Sequence, residues 1–371
     1  MKPASFLSEQ WMTQYEHQAR INLTDSSADS LSFEQLANFE PDLLKNLVLD
    51  YGTIEGDLRL REKILSFYKD RNPRTLAISH GCSEGSRLVM EVLLEAGDHV
   101  ITYVPGYQQF WEIPEKMGCQ VTLIELNEKD WSLDIEKLEK SINKKTKLLI
   151  LNNPANPTGA SLSNSQMLKI AEICKKHHVW ILCDEVYLYP DEDHPSFNDL
   201  YDQAIVTSSL SKTLGLPGLR IGWIKGPESV VSDITLARDY SLISTGPLID
   251  TLGYIALKHR DEIRKPIEKV IGHNRQTVDE WIGLQKDFEW VKPENGSLGF
   301  MKIVPITDSA DFCRRLLDQT GIFFVPGSCF GKEGYVRIGL GFIHENIQGS
   351  LDEVRDFLQE YLKQNPSTLQ K

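Results

Sequence analysis

What this chain has too little of is positive charge. Its 40 lysines and arginines are outnumbered by 53 aspartates and glutamates, for a formal net charge of −13. Affinity for nucleic acid rests on clustered Lys and Arg, so nucleic acid is not an expected partner. No basic amphipathic stretch offers itself to a membrane surface, and no run of about 18 apolar residues could cross one. The opening MKPASFLSEQWMTQYEHQAR has neither the apolar core nor the cleavage site of a secretion signal. The six cysteines, at 82, 119, 174, 183, 313 and 329, are scattered and form no CxxC pair. Neither a zinc site nor a disulfide framework is indicated, and several lie in apolar runs, as reduced buried thiols do. The expectation is a cytoplasmic protein without a metal.

With 371 residues, 41% hydrophobic and 25% charged, the composition is that of a globular protein with two domains. A polar N-terminal stretch carries a helical pattern over 6–18. Short apolar runs then alternate with amphipathic helical patterns. The runs are HVITYV (99–104), KLLILN (147–152), VWILCD (179–184) and AIVTSSL (204–210), and SNSQMLKIAEICKKHH (163–178) is a Ser-capped helix between two of them. Strands of near-continuous Val, Ile and Leu separated by helices predict an α/β fold whose mostly parallel sheet is covered on both faces. Beyond about residue 250 a long helical stretch (247–285) leads to short strand-like pieces, GFMKIV, IFFVPG and YVRIGL, and a closing helix over 346–362. The predicted division is a large domain over 40–260 and a smaller α/β domain built from 1–39 and 261–371.

In parallel sheets of this kind ligands bind beyond the carboxyl ends of the strands. The segments there are Gly81-Cys82-Ser83, Pro105-Gly106-Tyr107, 152–159, 184–187 and 209–212, all polar or small. GCSEG before an amphipathic helix can present free N–H groups to an anion, or be a plain turn with a Ser cap. Asp184 can cap the next helix or hold a protonated ring nitrogen in a low-dielectric site. Asn156, in NNPANPTG, can donate to a phenolate or carbonyl oxygen. Lys212 follows a strand among small hydroxylic residues, with Arg220 eight positions on across a Gly/Pro turn, in SSLSKTLGLPGLRIGW. It is either a solvated loop charge or an amine whose pKa a nearby cation lowers toward nucleophilic use.

Taken in order, Tyr51…Gly56, GCSEG, VPGY, NNPANPTG, DEVY, SLSKTLGLPGLRIGW and YVRIGL resemble the fold-type I pyridoxal-phosphate enzymes, specifically the class I/II aminotransferase family. The resemblance runs over about 50–342. It implies an aspartate aminotransferase-like fold, pyridoxal 5′-phosphate as cofactor, an α-amino acid and a 2-oxo acid as substrates, and a homodimer. By the same resemblance Lys212 would form the Schiff base with the cofactor and move the Cα proton, while Asp184 would hold the pyridinium nitrogen. Asn156 and Tyr187 would bond the cofactor's O3′, and Tyr107 would stack on its ring. Gly81, Cys82, Ser83, Ser209, Ser211 and Arg220 would bind the phosphate, Arg220 through its fork. Tyr51 would reach the phosphate of the neighbouring subunit. Arg337, together with Asn156, would bind the substrate, its fork pairing with the α-carboxylate; read alone, Arg337 is equally a strand-end ion pair.

The chain departs from the family pattern at two places. Cys82 stands where a small residue such as alanine or threonine is usual, and the N-terminal INLTDSSADSLSFEQL lacks the glycine-containing apolar stretch that often covers the substrate. That element and RDYSLISTGPL are similar to a narrower group that includes capreomycidine synthase. This similarity implies an alternative: a pyridoxal-phosphate lyase or cyclase acting on a hydroxylated, cationic amino acid.

Overall fold

The computed structural model describes residues 4–189, 194–343 and 346–364. A two-residue strand, Ile21–Asn22 (β1), precedes Leu76–His80 (β2), His99–Val104 (β3), Gln120–Glu125 (β4), Thr146–Asn152 (β5), Trp180–Asp184 (β6), Ala204–Ser209 (β7) and Ile221–Lys225 (β8). The last seven form one sheet in the order β2-β8-β7-β6-β5-β3-β4. All neighbours run parallel except β8, which is antiparallel to both β2 and β7. Leu148 to Leu151, Ile181 to Cys183 and Ala204 to Val206 are all 2% exposed or less, because helices cover both faces. Helix Asn164–His177 starts where Ser163 accepts from the Gln166 N–H and Gln166 returns the bond, and it stops at His178 in the left-handed region (φ 56°).

The C-terminal part builds a second, antiparallel sheet. Phe288–Trp290 (β9) and Leu298–Ile303 (β10) are followed by Ile322–Phe323 (β11), Val325–Pro326 (β12) and Tyr335–Gly339 (β13), and the sheet order is β12-β13-β10-β9. Helices Ser309–Thr320 and Ile347–Gln364 pack with it around a core of Leu23, Phe312, Phe324, Ile338, Val354 and Phe357. The N-terminal segment is strapped to this sheet. β1 pairs parallel with β11, the Gly339 N–H donates to Leu23 O at 2.8 Å, and Ala28 bridges Gly341. The strap then reaches the other sheet's loops, where Ser27 Oγ donates to Ser211 O at 2.7 Å.

Four strands fall where their apolar runs predict them. The edge strand β4 lacks such a run, since Gln120, Leu123 and Glu125 are exposed. β8 reads as part of the lysine loop, yet IGWIK is fully buried, its Lys225 ammonium held at 3.0 Å by Asp70. IFFVPG splits into β11 and β12, which serve different sheets. The helical stretch over 247–285 is two helices, Pro247–Lys258 and Arg260–Gly283, broken at His259 where the ring meets Glu40 and Glu262. All six cysteines are free and buried. No described helix is long and apolar enough to cross a membrane.

Candidate active site

The loops after β2, β3, β5, β6 and β7 converge with the N-terminal strap and β13 on a cavity of about 240 Å³. Lys212 and Tyr187 also line a second cavity of about 300 Å³, whose wall includes Arg264, Arg275 and Glu294. The chemistry belongs to the smaller one, because the strand-end loops open onto it.

Lys212 Nζ donates to Ser26 Oγ at 2.8 Å and lies 6.0 Å from the centroid of the Tyr187 ring. Burial holds the lysine below its ordinary pKa; Asp25 opposes this and Arg337 adds to it. Burial thus favours the neutral amine over the charged one, and the Ser26 hydroxyl fixes its position.

Behind it, Asp184 ends β6 and is 9% exposed. Its Oδ1 accepts from the Val186 N–H at 3.0 Å and from Cys82 Sγ at 3.1 Å, while Oδ2 has no protein donor among the described residues. Burial pushes this carboxyl up to about 6, against those two hydrogen bonds and the charge of Lys212. The next residue, Glu185, is 4% exposed; its Oε1 accepts from Ser196 Oγ and the Phe197 N–H, and its Oε2 is buried without a partner among the described residues. Burial raises Glu185 to about 8. The folded state therefore keeps a proton that the unfolded chain releases at the ordinary carboxylate pKa, so stability falls as pH rises from about 5 to about 8. Denaturant unfolding of Glu185→Gln should lack this component, which is worth up to about 1.4 kcal/mol per pH unit. Parallel wild-type and variant stability profiles across that window would contradict the assignment.

An anion cradle lies at the other end of the cavity. Helix Gly81–Leu93 begins directly after β2 and turns the free N–H groups of its first residues outward. Gly81 has φ +77°, and a Cβ there would fall 2.5 Å from Arg220 Nη2. Arg220 is itself left-handed (φ 53°) and anchors its Nη1 on Pro217 O at 2.9 Å. Ser83, Ser209, Ser211 and Arg220 line the cavity, with Ser209 Oγ accepting from the Ser211 N–H.

Tyr107, Asn156 and Tyr187 form its walls, and the Tyr107 hydroxyl donates to Glu9 Oε1 at 3.3 Å. Arg337, on β13, is 4% exposed. Its Nε donates to Thr24 O at 3.0 Å, Nη1 lies 3.4 Å from Asn156 Oδ1, and the guanidinium sits over the Phe330 ring. No carboxylate pairs with it among the described residues. The strand-end ion pair is thus absent, and a buried guanidinium without a counterion favours an anionic ligand.

Eleven of the sequence-predicted residues line this cavity, and Gly81 supports it from behind Arg220. Tyr51 does not join them: it is 66% exposed and outside the cavity of its own chain. Sequence reasoning missed Glu9, Met12, Asp25 and Ser26, which the strap and the first helix bring in. The hydroxyl-rich TDSSADS run is a local signal for Asp25 and Ser26 alone; Glu9 and Met12 have none, because these contacts span long distances in sequence. Cys82 was expected through its backbone, and its thiol was not foreseen.

The class I and II aminotransferase family model matches residues 20–353. The chain is similar to capreomycidine synthase of Streptomyces vinaceus, at 28% identity over 94% of this chain and 92% of that one. It is also similar to aspartate aminotransferase of Pyrococcus horikoshii, at 28% identity over 83% of each. A crystal structure of a pyridoxal-phosphate-dependent aminotransferase from Streptococcus suis superposes with a TM-score of 0.90, at 33% identity over 98% of this chain and 99% of that one. Three features here fit pyridoxal phosphate. A glycine-floored helix terminus faces Arg220, the buried carboxylate of Asp184 lines the cavity, and the desolvated Lys212 lines it too. The chain belongs to the class I and II aminotransferases, enzymes of fold type I that depend on pyridoxal phosphate.

Proposed function

We propose that this protein is an aminotransferase that moves an amino group between an α-amino acid and a 2-oxo acid. The observation that carries this reading is Arg337, a buried guanidinium without a carboxylate partner among the described residues, lining the cavity that Lys212 lines. Its fork binds the α-carboxylate and, with Asn156, orients Cα. When bound, pyridoxal phosphate supplies an aldehyde that condenses with amines and a ring that accepts the electron pair left at Cα. The helix terminus at Gly81, Cys82 and Ser83, the hydroxyls of Ser209 and Ser211, and Arg220 hold its phosphate. Asp184 would hold the ring nitrogen protonated, Asn156 and Tyr187 would bond the ring oxygen, and Tyr107 would pack on the ring. Lys212 Nζ would take the proton from Cα, while Ser26 keeps the amine aimed.

The same reading includes two domains, 40–260 and 1–39 with 261–371, supported by a second core drawn from Leu23 and residues beyond 277. It also includes a homodimer in which Tyr51 completes the partner's phosphate site. Val48, Leu49 and Tyr51, 66% exposed or more, form an apolar surface suited to that contact.

One observation favours a second reading. Glu9 and Asp25 bring carboxylates into the cavity that Lys212 and Arg337 line, and neither has an ion-pair partner among the described residues. They suit a cationic side chain, and the relative capreomycidine synthase extends over the strap that supplies Asp25. In this reading the protein is a lyase or cyclase acting on a hydroxylated, cationic amino acid, with the same proton abstraction by Lys212. Incubating the holoenzyme with an amino-acid panel and no oxo acid separates the two. The aminotransferase converts its cofactor once to the amine form and releases one equivalent of oxo acid. Many turnovers with release of water or ammonia would instead establish the lyase or cyclase.

A further inference from the structure

We propose that the Cys82 thiol is a positioning residue that fixes Asp184 for the ring nitrogen, an inference that rests on the role given to Asp184 above. Cys82 is the second residue of the helix after β2, and its backbone faces the anion cradle. Its side chain points the other way, across the strand ends, to Asp184 Oδ1 at 3.1 Å. The Val186 N–H takes the same oxygen at 3.0 Å. Both donors take Oδ1, so Oδ2 has no protein donor among the described residues, on a residue that lines the cavity. A side chain without a donor, at the position where a small residue is usual, would leave Oδ1 with the backbone bond alone and the carboxylate free to rotate about its last torsion.

The thiol suits this task and little else. It is 8% exposed, and burial followed by the charge of Asp184 hold it well above the ordinary thiol range, so it remains an S–H donor. The hydroxyls of Ser86 and Thr207, which bond each other at 3.0 Å, also hydrogen-bond the sulfur and brace it against Asp184. The titratable groups facing Asp184 are Cys82 from the helix, Lys212 from the loop after β7, Tyr103 and Tyr107 from β3 and its loop, and Cys183, Glu185 and Tyr187 from its own strand and loop. Lys212 is the only cation among them, and among the described residues the thiol is the only neutral side chain that donates to the carboxylate.

The test is cofactor affinity, measured by titrating the apoprotein with pyridoxal phosphate between about pH 5 and pH 8. Cys82→Ala should weaken binding about tenfold at the acid end and less at the alkaline end, because Asp184 then protonates more readily. Cys82→Ser keeps a donor and should restore the wild-type profile. In an Asp184→Asn background, adding Cys82→Ala should change affinity no further. Equal affinities and profiles for wild type and a folded Cys82→Ala would overturn the proposal, as would an undiminished Cys82 effect in the Asp184→Asn background. If Asp184→Asn alone leaves affinity unchanged, the reading of Asp184 itself fails, which is a distinct result.

Discussion

Lys212→Ala is expected to lower turnover by about 10⁴-fold or more while the apoprotein unfolds at a temperature close to wild type. The size follows from two duties resting on one atom. In the proposed function Nζ would be both the amine that holds the cofactor and the base that takes the Cα proton, and no other amine among the described residues lines the cavity. Asp25 on the strap and Glu9 on the first helix also line the cavity, but a carboxylate cannot condense with an aldehyde as an amine does. The fold should tolerate the change, because Lys212 contributes a single hydrogen bond, to Ser26, and no ion pair among the described residues. Steady-state rates with the preferred amino acid, alongside circular dichroism melting, check both halves. A variant retaining a tenth of wild-type turnover would remove Lys212 from the chemistry.

The second large effect is expected at Arg337. Arg337→Lys keeps a positive charge but loses the planar fork, so KM for the amino acid should rise about 100-fold with a smaller change in kcat. The split is informative because the α-carboxylate is held in both ground and transition states. Arg337→Met should cost more, and part of that loss would be structural, since Nε also anchors Thr24 O and with it the strap. The lysine variant is therefore the cleaner probe. An unchanged KM in Arg337→Lys would show that another group receives the carboxylate.

The site was legible in sequence wherever chemistry and local structure share a few residues. β5, β6 and β7 announce themselves as apolar runs, and their ends place Asn156, Asp184 and Lys212 without knowledge of the tertiary fold. What could not be read depends on pairing between distant segments. β8 is antiparallel because the chain reverses at Arg220 and runs back between β2 and β7, a choice made by those partners and not by IGWIK itself. Ser26 reaches Lys212 across 186 residues, held there by β11, β13 and Ser297. The first helix carries Glu9 and Met12 to the cavity for the same long-range reason. At Cys82 the sequence shows an unusual residue, but only the approach of two strand ends gives its thiol a partner. The residues proposed to hold the cofactor thus follow from motif order, whereas Asp25 and Ser26 reach the cavity only through the strap.

The most direct test of the central claim is to reduce the loaded protein with borohydride, digest it and locate the added cofactor mass by mass spectrometry. The account predicts one modified peptide, carrying the mass on Lys212. Modification of a different lysine, or none under conditions where the visible absorbance is bleached, would contradict it.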